Sequence, residues 1–204
     1  MHRANPIMLR WICILSLLAG ACGDSTDPGD DGEDQTGEDV VFTGTVQNNT
    51  PGPVPSNARV LVAWSVSTGT DFTYVFGEGT IDATSGTFEV TLPGTPPTVA
   101  LNADVLGVGI VFATTNSSIT TGWDVEDIPL DDVIGAAGQY AVIYVADPAG
   151  AQALGDWTGT FDDGYTVGRG QEVTGSFDIF VPDAPDSIVL VIDDISNIDF
   201  VNWT

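Results

Sequence analysis

Residues 59–66 read Arg59-Val60-Leu61-Val62-Ala63-Trp64-Ser65-Val66, and residues 87–92 read Thr87-Phe88-Glu89-Val90-Thr91-Leu92. In the first stretch Val60, Val62, Trp64 and Val66 fall on one side of an extended chain. Arg59, Ala63 and Ser65 fall on the other, with Leu61 as the exception. In the second stretch Phe88, Val90 and Leu92 alternate with Thr87, Glu89 and Thr91. A period of two sends alternate side chains to opposite faces of a strand. One apolar and one polar face then mean strands that cover a core and leave their far side wet. The same Val/Thr/Phe/Tyr alternation, punctuated by Gly and Pro, predicts strands at 41–47, 72–76, 98–102, 106–113, 140–146, 177–181 and 187–192. Only 130–137 suits a short helical turn, and it contains Gly135. The expectation is an all-β domain over 40–204, built as an antiparallel β-sandwich.

An internal echo bears on how that sandwich is assembled. Tyr74-Val75-Phe76-Gly77-Glu78-Gly79 is matched by Tyr165-Thr166-Val167-Gly168-Arg169-Gly170, and the run from Gly86 to Pro93 by that from Gly175 to Pro182. Pro96 and Leu101 recur as Pro185 and Leu190. Gly and Pro at fixed offsets favour a duplicated strand-turn-strand unit spanning 74–101 and 165–190. A domain of about 65 residues has a marginal core, so the two units are expected to share one sandwich, immunoglobulin-like or transthyretin-like in type. The alignment also equates Glu78 with Arg169 and makes Glu78 the candidate carboxylate partner of that guanidinium.

The N-terminus has a different character. Arg3 and Arg10 precede the apolar run Trp11-Ile12-Cys13-Ile14-Leu15-Ser16-Leu17-Leu18, which ends in Ala19-Gly20-Ala21 just before Cys22. A basic start, a short apolar core and small residues form the three-part layout of a secretory signal. The run is about half the ~20 residues that a bilayer-spanning helix needs. Ala19-Gly20-Ala21-Cys22 resembles the lipobox of bacterial lipoproteins, with Ala19 where Leu is more usual. The resemblance implies cleavage of 1–21, acylation of Cys22 and a membrane partner held through that lipid. Gly23 after the Cys is similar to the outer-membrane sorting pattern of double-membrane bacteria. The expected location is the extracytoplasmic envelope. Over the rest of the chain the composition is similar to that of acidic, Gly/Thr-rich β-domain lipoproteins of bacterial envelopes, a likeness that implies no activity.

Residues 22–39 then form the lipidated Cys and a tether. Residues 24–39 hold eight carboxylates and no apolar side chain larger than Pro, so they cannot bury enough surface to offset chain entropy. Charges about 7 Å apart, inside a Debye length of ~8 Å, extend such a chain. The cluster 30–34 lacks the alternating ligand spacing of an EF-hand loop, so a spacer is the simpler reading.

The chain carries 29 acids against four Arg, no Lys, and a single His at position 2. Removal of 1–21 leaves no His, no Met, Arg59 and Arg169 as the cations, and Cys22 as the one thiol. That excludes Ser-His-Asp and Cys-His nucleophilic machinery, Schiff-base lysines, His-based zinc sites and structural disulfides. Two Arg cannot neutralise a phosphate backbone, so nucleic acid is excluded as a partner. Carboxylate chemistry is what remains. A glycoside hydrolase needs two acids roughly 5 to 9.5 Å apart, for which Glu78, Glu126, Glu172, Asp71 and Asp104 are candidates. Calcium as a cofactor favours oxygen ligands. Its candidate ligands are Asp162, Asp163, Asp193, Asp194 and Asp199, with Asp131 and Asp132 a further acidic pair. Trp123, Trp157 and Trp203 lie beside Gly, Asp or Asn outside the alternating strands, where rings can stack on sugars or plug the ends of a sandwich. The leading expectation is a non-enzymatic, lipid-anchored envelope protein with a structural or interaction domain and an envelope glycan or protein as partner. The alternative is a carbohydrate- or polymer-binding module, calcium-stabilised in one version.

Overall fold

The computed structural model describes residues 37–67, 71–122, 129–154, 158–173 and 177–200. Ten strands are found there: β1 (Val40–Asn48), β2 (Arg59–Ser67), β3 (Asp71–Asp82), β4 (Thr87–Leu92), β5 (Leu106–Thr114), β6 (Val133–Ala136), β7 (Tyr140–Val145), β8 (Gly164–Val173), β9 (Phe177–Asp183) and β10 (Ile188–Ile192). The protein is all-β, as the alternation predicts. The sheet, however, does not split into two stacked layers. It runs β2-β3-β4-β1-β10-β6-β5 and returns to β2, closing a barrel of seven strands. The expected sandwich gives way to this barrel because β2 finds partners on both edges, β3 on one and β5 on the other. One pair in the ring is parallel: β1 lies beside β10 with Gly44 opposite Ile188. The barrel is therefore not wholly antiparallel.

β5 carries more than the ring. Its residues 109–114 pair with β2, while on the opposite edge 112–114 meet β6 and 106–109 meet β7. From β7 the sheet continues outward through β8 to β9. This three-stranded wing packs Val142 and Val167 into the same core as the barrel. Tyr165 on β8 meets Phe42 and Trp64 edge-on at 6.1 Å each, and its hydroxyl donates to the Gly94 carbonyl at 2.8 Å.

The branching explains why β2 reads as almost continuously apolar. Val60, Val62 and Trp64 point into the barrel beside Phe42, Phe88, Val90, Leu92 and Leu190. Leu61 and Ala63 point outward, yet they are buried too, with Val75, Phe112, Ile119 and Ala136. A third cluster covers the outer side of the wing, where Ile143, Val145 and Phe180 pack with Ala151 of α1 (Pro148–Leu154). Each such aliphatic or aromatic side chain contributes roughly 1.5–3 kcal/mol on full burial. Leu61, the exception to the alternation, thus marks a second buried face.

Three local expectations change. Residues 98–102 are not a strand: Pro97 caps a 3-10 turn, Thr98–Ala100, that buries Ala100. Residues 130–137 begin with a 3-10 turn, Leu130–Asp132, but continue as β6. Gly135 suits β6 to that place, since a Cβ there would run into the Val191 carbonyl of β10. The echoing segments 74–92 and 165–181 both form hairpins, but in different register. Glu78 faces Thr91, whereas its counterpart Arg169 faces Val181, one residue beyond the counterpart of Thr91. A one-residue slip exchanges the two faces of a strand. Accordingly Leu92 is buried in the first hairpin and Phe180 in the second, and Leu101 and Leu190 occupy different elements.

Candidate functional site

On the outside of the ring, an open groove with polar walls spans β1, β3 and β4. Outward positions there are Thr43 and Thr45 on β1, Thr87 and Glu89 on β4, and Thr80 and Asp82 on β3. The register sets them in rows: Thr80 opposite Glu89 opposite Thr43, and Asp82 opposite Thr87 opposite Thr45. Asp186, in the turn before β10, flanks the rows. Together they line an open groove of about 480 Å³. Hydroxyls and carboxylates can bond the hydroxyl or amide groups of a ligand lying along the surface. Phe88, the aromatic residue of the lining, is 2 % exposed and leaves no ring for stacking. Among the described residues no helix is long and apolar enough to cross a membrane.

A second polar centre lies where β2 and β3 meet. Arg59 Nη2 donates to Glu78 Oε2 at 2.7 Å, and its Nη1 donates to the Ser117 carbonyl at 3.2 Å. Glu78 Oε1 accepts from the Thr121 amide at 2.8 Å. Glu78 is therefore paired with Arg59 and not with Arg169, which is exposed and makes no ion pair with a described residue. The misalignment has a physical cause, since equivalence within a repeat says nothing about proximity between its copies.

The candidate calcium ligands are not brought together. Asp162 and Asp163 are exposed just before β8, whose first residue pairs with Val145 opposite Leu106. Asp193 and Asp194 follow β10, whose last residue pairs with Gly135 opposite Ala113. The two pairs stand at opposite ends of the sheet, about seven residues of β5 or ~24 Å apart. Asp199 is exposed, and its carbonyl accepts from Gln139 Nε2 at 3.1 Å. Asp132 accepts from Asn116 Nδ2 at 2.8 Å. Among the described residues no three His, Cys, Asp or Glu side chains gather to hold a metal ion. Comparison with protein-family models, curated proteins and solved structures finds no match.

Of the hydrolase candidates, the two whose side chains are described, Glu78 and Asp104, stand apart. Arg59, beside Glu78, pairs with Thr114 at one end of β5, and Asp104 precedes the other end. Eight residues of strand separate them by ~27 Å, far beyond the spacing of a glycosidase pair. Glu126, Cys22, Trp123, Trp157 and Trp203 lie outside the described residues, as do the side chains of Asp71 and Glu172.

Asp193 and Asp194 do have a structural task. Asp193 accepts from Asn197 Nδ2 at 3.0 Å and from the Asp194 amide at 2.7 Å, which hold its carboxyl below the usual 3.8. Asp194 caps the 3-10 turn Ile195–Asn197 through Ser196 Oγ and the Ser196 amide, with the same effect on its own carboxyl. Asp82 is lowered in the same way by Ser85 and Thr84 in the β3–β4 turn. A carboxyl lowered in the fold stabilises fully above its unfolded pKa and loses that contribution as pH falls through the folded value. Asp194→Asn should therefore lower the urea midpoint at pH 7, and the gap from the parent should shrink as pH falls below the ordinary carboxyl value of 3.8. A gap that stays constant from pH 7 into the acid range would show that the cap does not depend on charge.

Proposed function

We propose that the protein is a lipid-anchored component of the extracytoplasmic bacterial envelope whose barrel acts by contact with another molecule, without catalysis. One observation carries this reading: Arg3 and Arg10, a short apolar run, and Ala19-Gly20-Ala21-Cys22 in the order of a lipoprotein signal. Several acyl chains on Cys22, at ~0.8 kcal/mol per buried CH₂, would anchor the chain stably. The acidic stretch 24–39 would then act as a spacer, at most on the order of 55 Å when extended, above an anionic membrane. In a double-membrane organism the outer membrane is the favoured site.

The chemistry left to the domain supports contact. It contains no Lys and no His, and its described candidate acids stand far apart or already bonded. The Thr and carboxylate rows of β1, β3 and β4 suit a hydroxyl-bearing envelope polymer lying along the groove. No likeness to immunoglobulin or transthyretin domains enters this reading.

The anchor is tested by expressing the full chain in a bacterium fed a tagged fatty acid. The chain should take up the label and sediment with membranes. Cys22→Ser should lose the label and shift to the soluble fraction. Membrane retention of an unlabelled Cys22→Ser chain would overturn the anchoring.

A further inference from the structure

We infer that residues 115–122 form a latched cover over the outer apolar face of the barrel, opening as a unit around the Arg59–Glu78 ion pair. The segment leaves the end of β5 and crosses the outside of β2 and β3. It reads Thr-Asn-Ser-Ser-Ile-Thr-Thr-Gly, with no charge of its own. Its one large apolar side chain, Ile119, is fully buried among Leu61, Ala63, Val75 and Phe112. Its ties to the sheet backbone are sparse. Among the described residues, the bond from the Gly122 amide to the Val75 carbonyl, at 2.8 Å, is the one backbone-to-backbone hydrogen bond of 116–122.

Side chains do the rest: the Asn116 side chain is tied to Asp132 and its backbone amide to Thr114, Asn57 holds the Thr115 carbonyl, and the limbs before and after Ile119 both meet the Arg59–Glu78 pair. Arg59 uses one nitrogen for Glu78 and another for the Ser117 carbonyl. Glu78 uses one oxygen for Arg59 and the other for the Thr121 amide. The two limbs of the cover, before and after Ile119, are thus joined through a single ion pair on the sheet beneath them. Charge-assisted bonds of this kind are stronger than neutral ones, and loss of one partner weakens the bonds of the other. Segments with few backbone bonds and exposed polar ties open locally at a cost below global unfolding. Opening would present Leu61, Ala63, Val75 and Phe112 as an apolar patch on an otherwise acidic surface. Arg59 is one of only two cations in the domain, and its place at the junction of both limbs is the geometry a latch requires.

Amide hydrogen exchange on the folded protein tests this, with Glu78→Ala and Arg59→Ala as variants. The reporters are Ser118 and Gly122, whose amides bond to Asn116 Oδ1 and the Val75 carbonyl and touch neither altered side chain. Both reporters should exchange at least ~10-fold faster in either variant, while amides of β4 and β10 keep their parent rates within about twofold. Glu78→Gln keeps an oxygen for Thr121, folds with the least disturbance, and should fall between parent and Glu78→Ala. Unchanged Ser118 and Gly122 rates, or equal acceleration in β4 and β10, would overturn the latch.

Discussion

Replacing Trp64 with alanine is expected to cost about 4 kcal/mol of folding free energy, near the middle of the range for deleting a fully buried Trp or Phe side chain. The indole is wholly inside the barrel, and its Nε1 donates to the Phe76 carbonyl at 2.9 Å. That carbonyl lies at the irregularity where β2 and β3 shift register between Leu61 and Ala63, so the bond also ties down a distorted stretch of the ring. Phe76 and Tyr165 meet the indole edge-on at 6.3 and 6.1 Å. Gly109 of β5 lies against it so closely that a Cβ there would come within 2.7 Å of the ring. Neighbours held by backbone pairing cannot collapse into the space left behind, which places the cost toward the cavity-forming end. For a domain of this size about 4 kcal/mol lowers Tm by roughly 8–16 °C. Trp64→Phe keeps most of the packing and loses the hydrogen bond, for about 1–2 kcal/mol. Urea melts of the three proteins would give the order. A Trp64→Ala midpoint within experimental error of the parent would remove the indole from the core.

Gly44→Ala should cost nearly as much, about 3 kcal/mol, by the opposite route of overpacking. Gly44 sits at the seam of the ring, between Phe88 of β4 and Ile188 of β10. A Cβ there would lie 2.6 Å from Phe88 Cζ and closer still to the Ile188 carbonyl oxygen. The ring could turn away at the expense of its rotamer, but the carbonyl belongs to the ladder that joins β1 to β10. Shortening the aromatic side should therefore relieve part of the strain. Gly44→Ala in a Phe88→Leu background should cost at least about 1 kcal/mol less than in the parent. Strict additivity in that cycle would place the whole clash at the backbone. The residues joined here, 44 and 188, are far apart in sequence, so slow folding is expected of an intact seam as well.

The seam also shows where sequence reasoning stops. Alternation in 87–92 is a local signal, and the inward face of β4 follows it, whereas β5 is covered on both faces. Alternation states which face of a strand is apolar and leaves open which strand lies beside it. Both a sandwich and a closed barrel bury one face of every strand. Only the pairing of β2 with β5 and of β1 with β10 separates them, and each depends on how whole strands fit together. Leu61 carried a usable hint, since an apolar residue on the polar face of an alternating strand signals a second covering layer. The run 98–102 misled for a plain reason: Pro97 starts a 3-10 turn before enough residues accumulate for a strand. α1 gave no periodic signal, being a seven-residue piece rich in Ala and Gly.

The polar sites follow the same division. Thr43, Thr45, Thr87 and Glu89 were legible as outward positions of predicted strands, but their alignment into one groove required the register. The acidic clusters were legible only as clusters. Asp193 and Asp194 proved to be bonded by Asn197 and Ser196, the local capping that short polar side chains commonly provide. The Arg59–Glu78 pair was hidden because an ion pair has no sequence period, and the repeat pointed to Arg169 in its place.

What the sequence determined by itself is the chemical inventory and the two-faced character of the strands. A domain without Lys or His cannot perform the reactions those side chains support, however it folds. Strands with one apolar face must bury that face, because no other arrangement takes so much hydrocarbon out of water. Tertiary structure alone decided that the sheet closes on itself, that a second apolar face lies beneath 115–122, and that Arg59 meets Glu78. Those outcomes depend on contacts between residues distant in the chain, whose energies are set by fit and register, and the local pattern of residues contains neither.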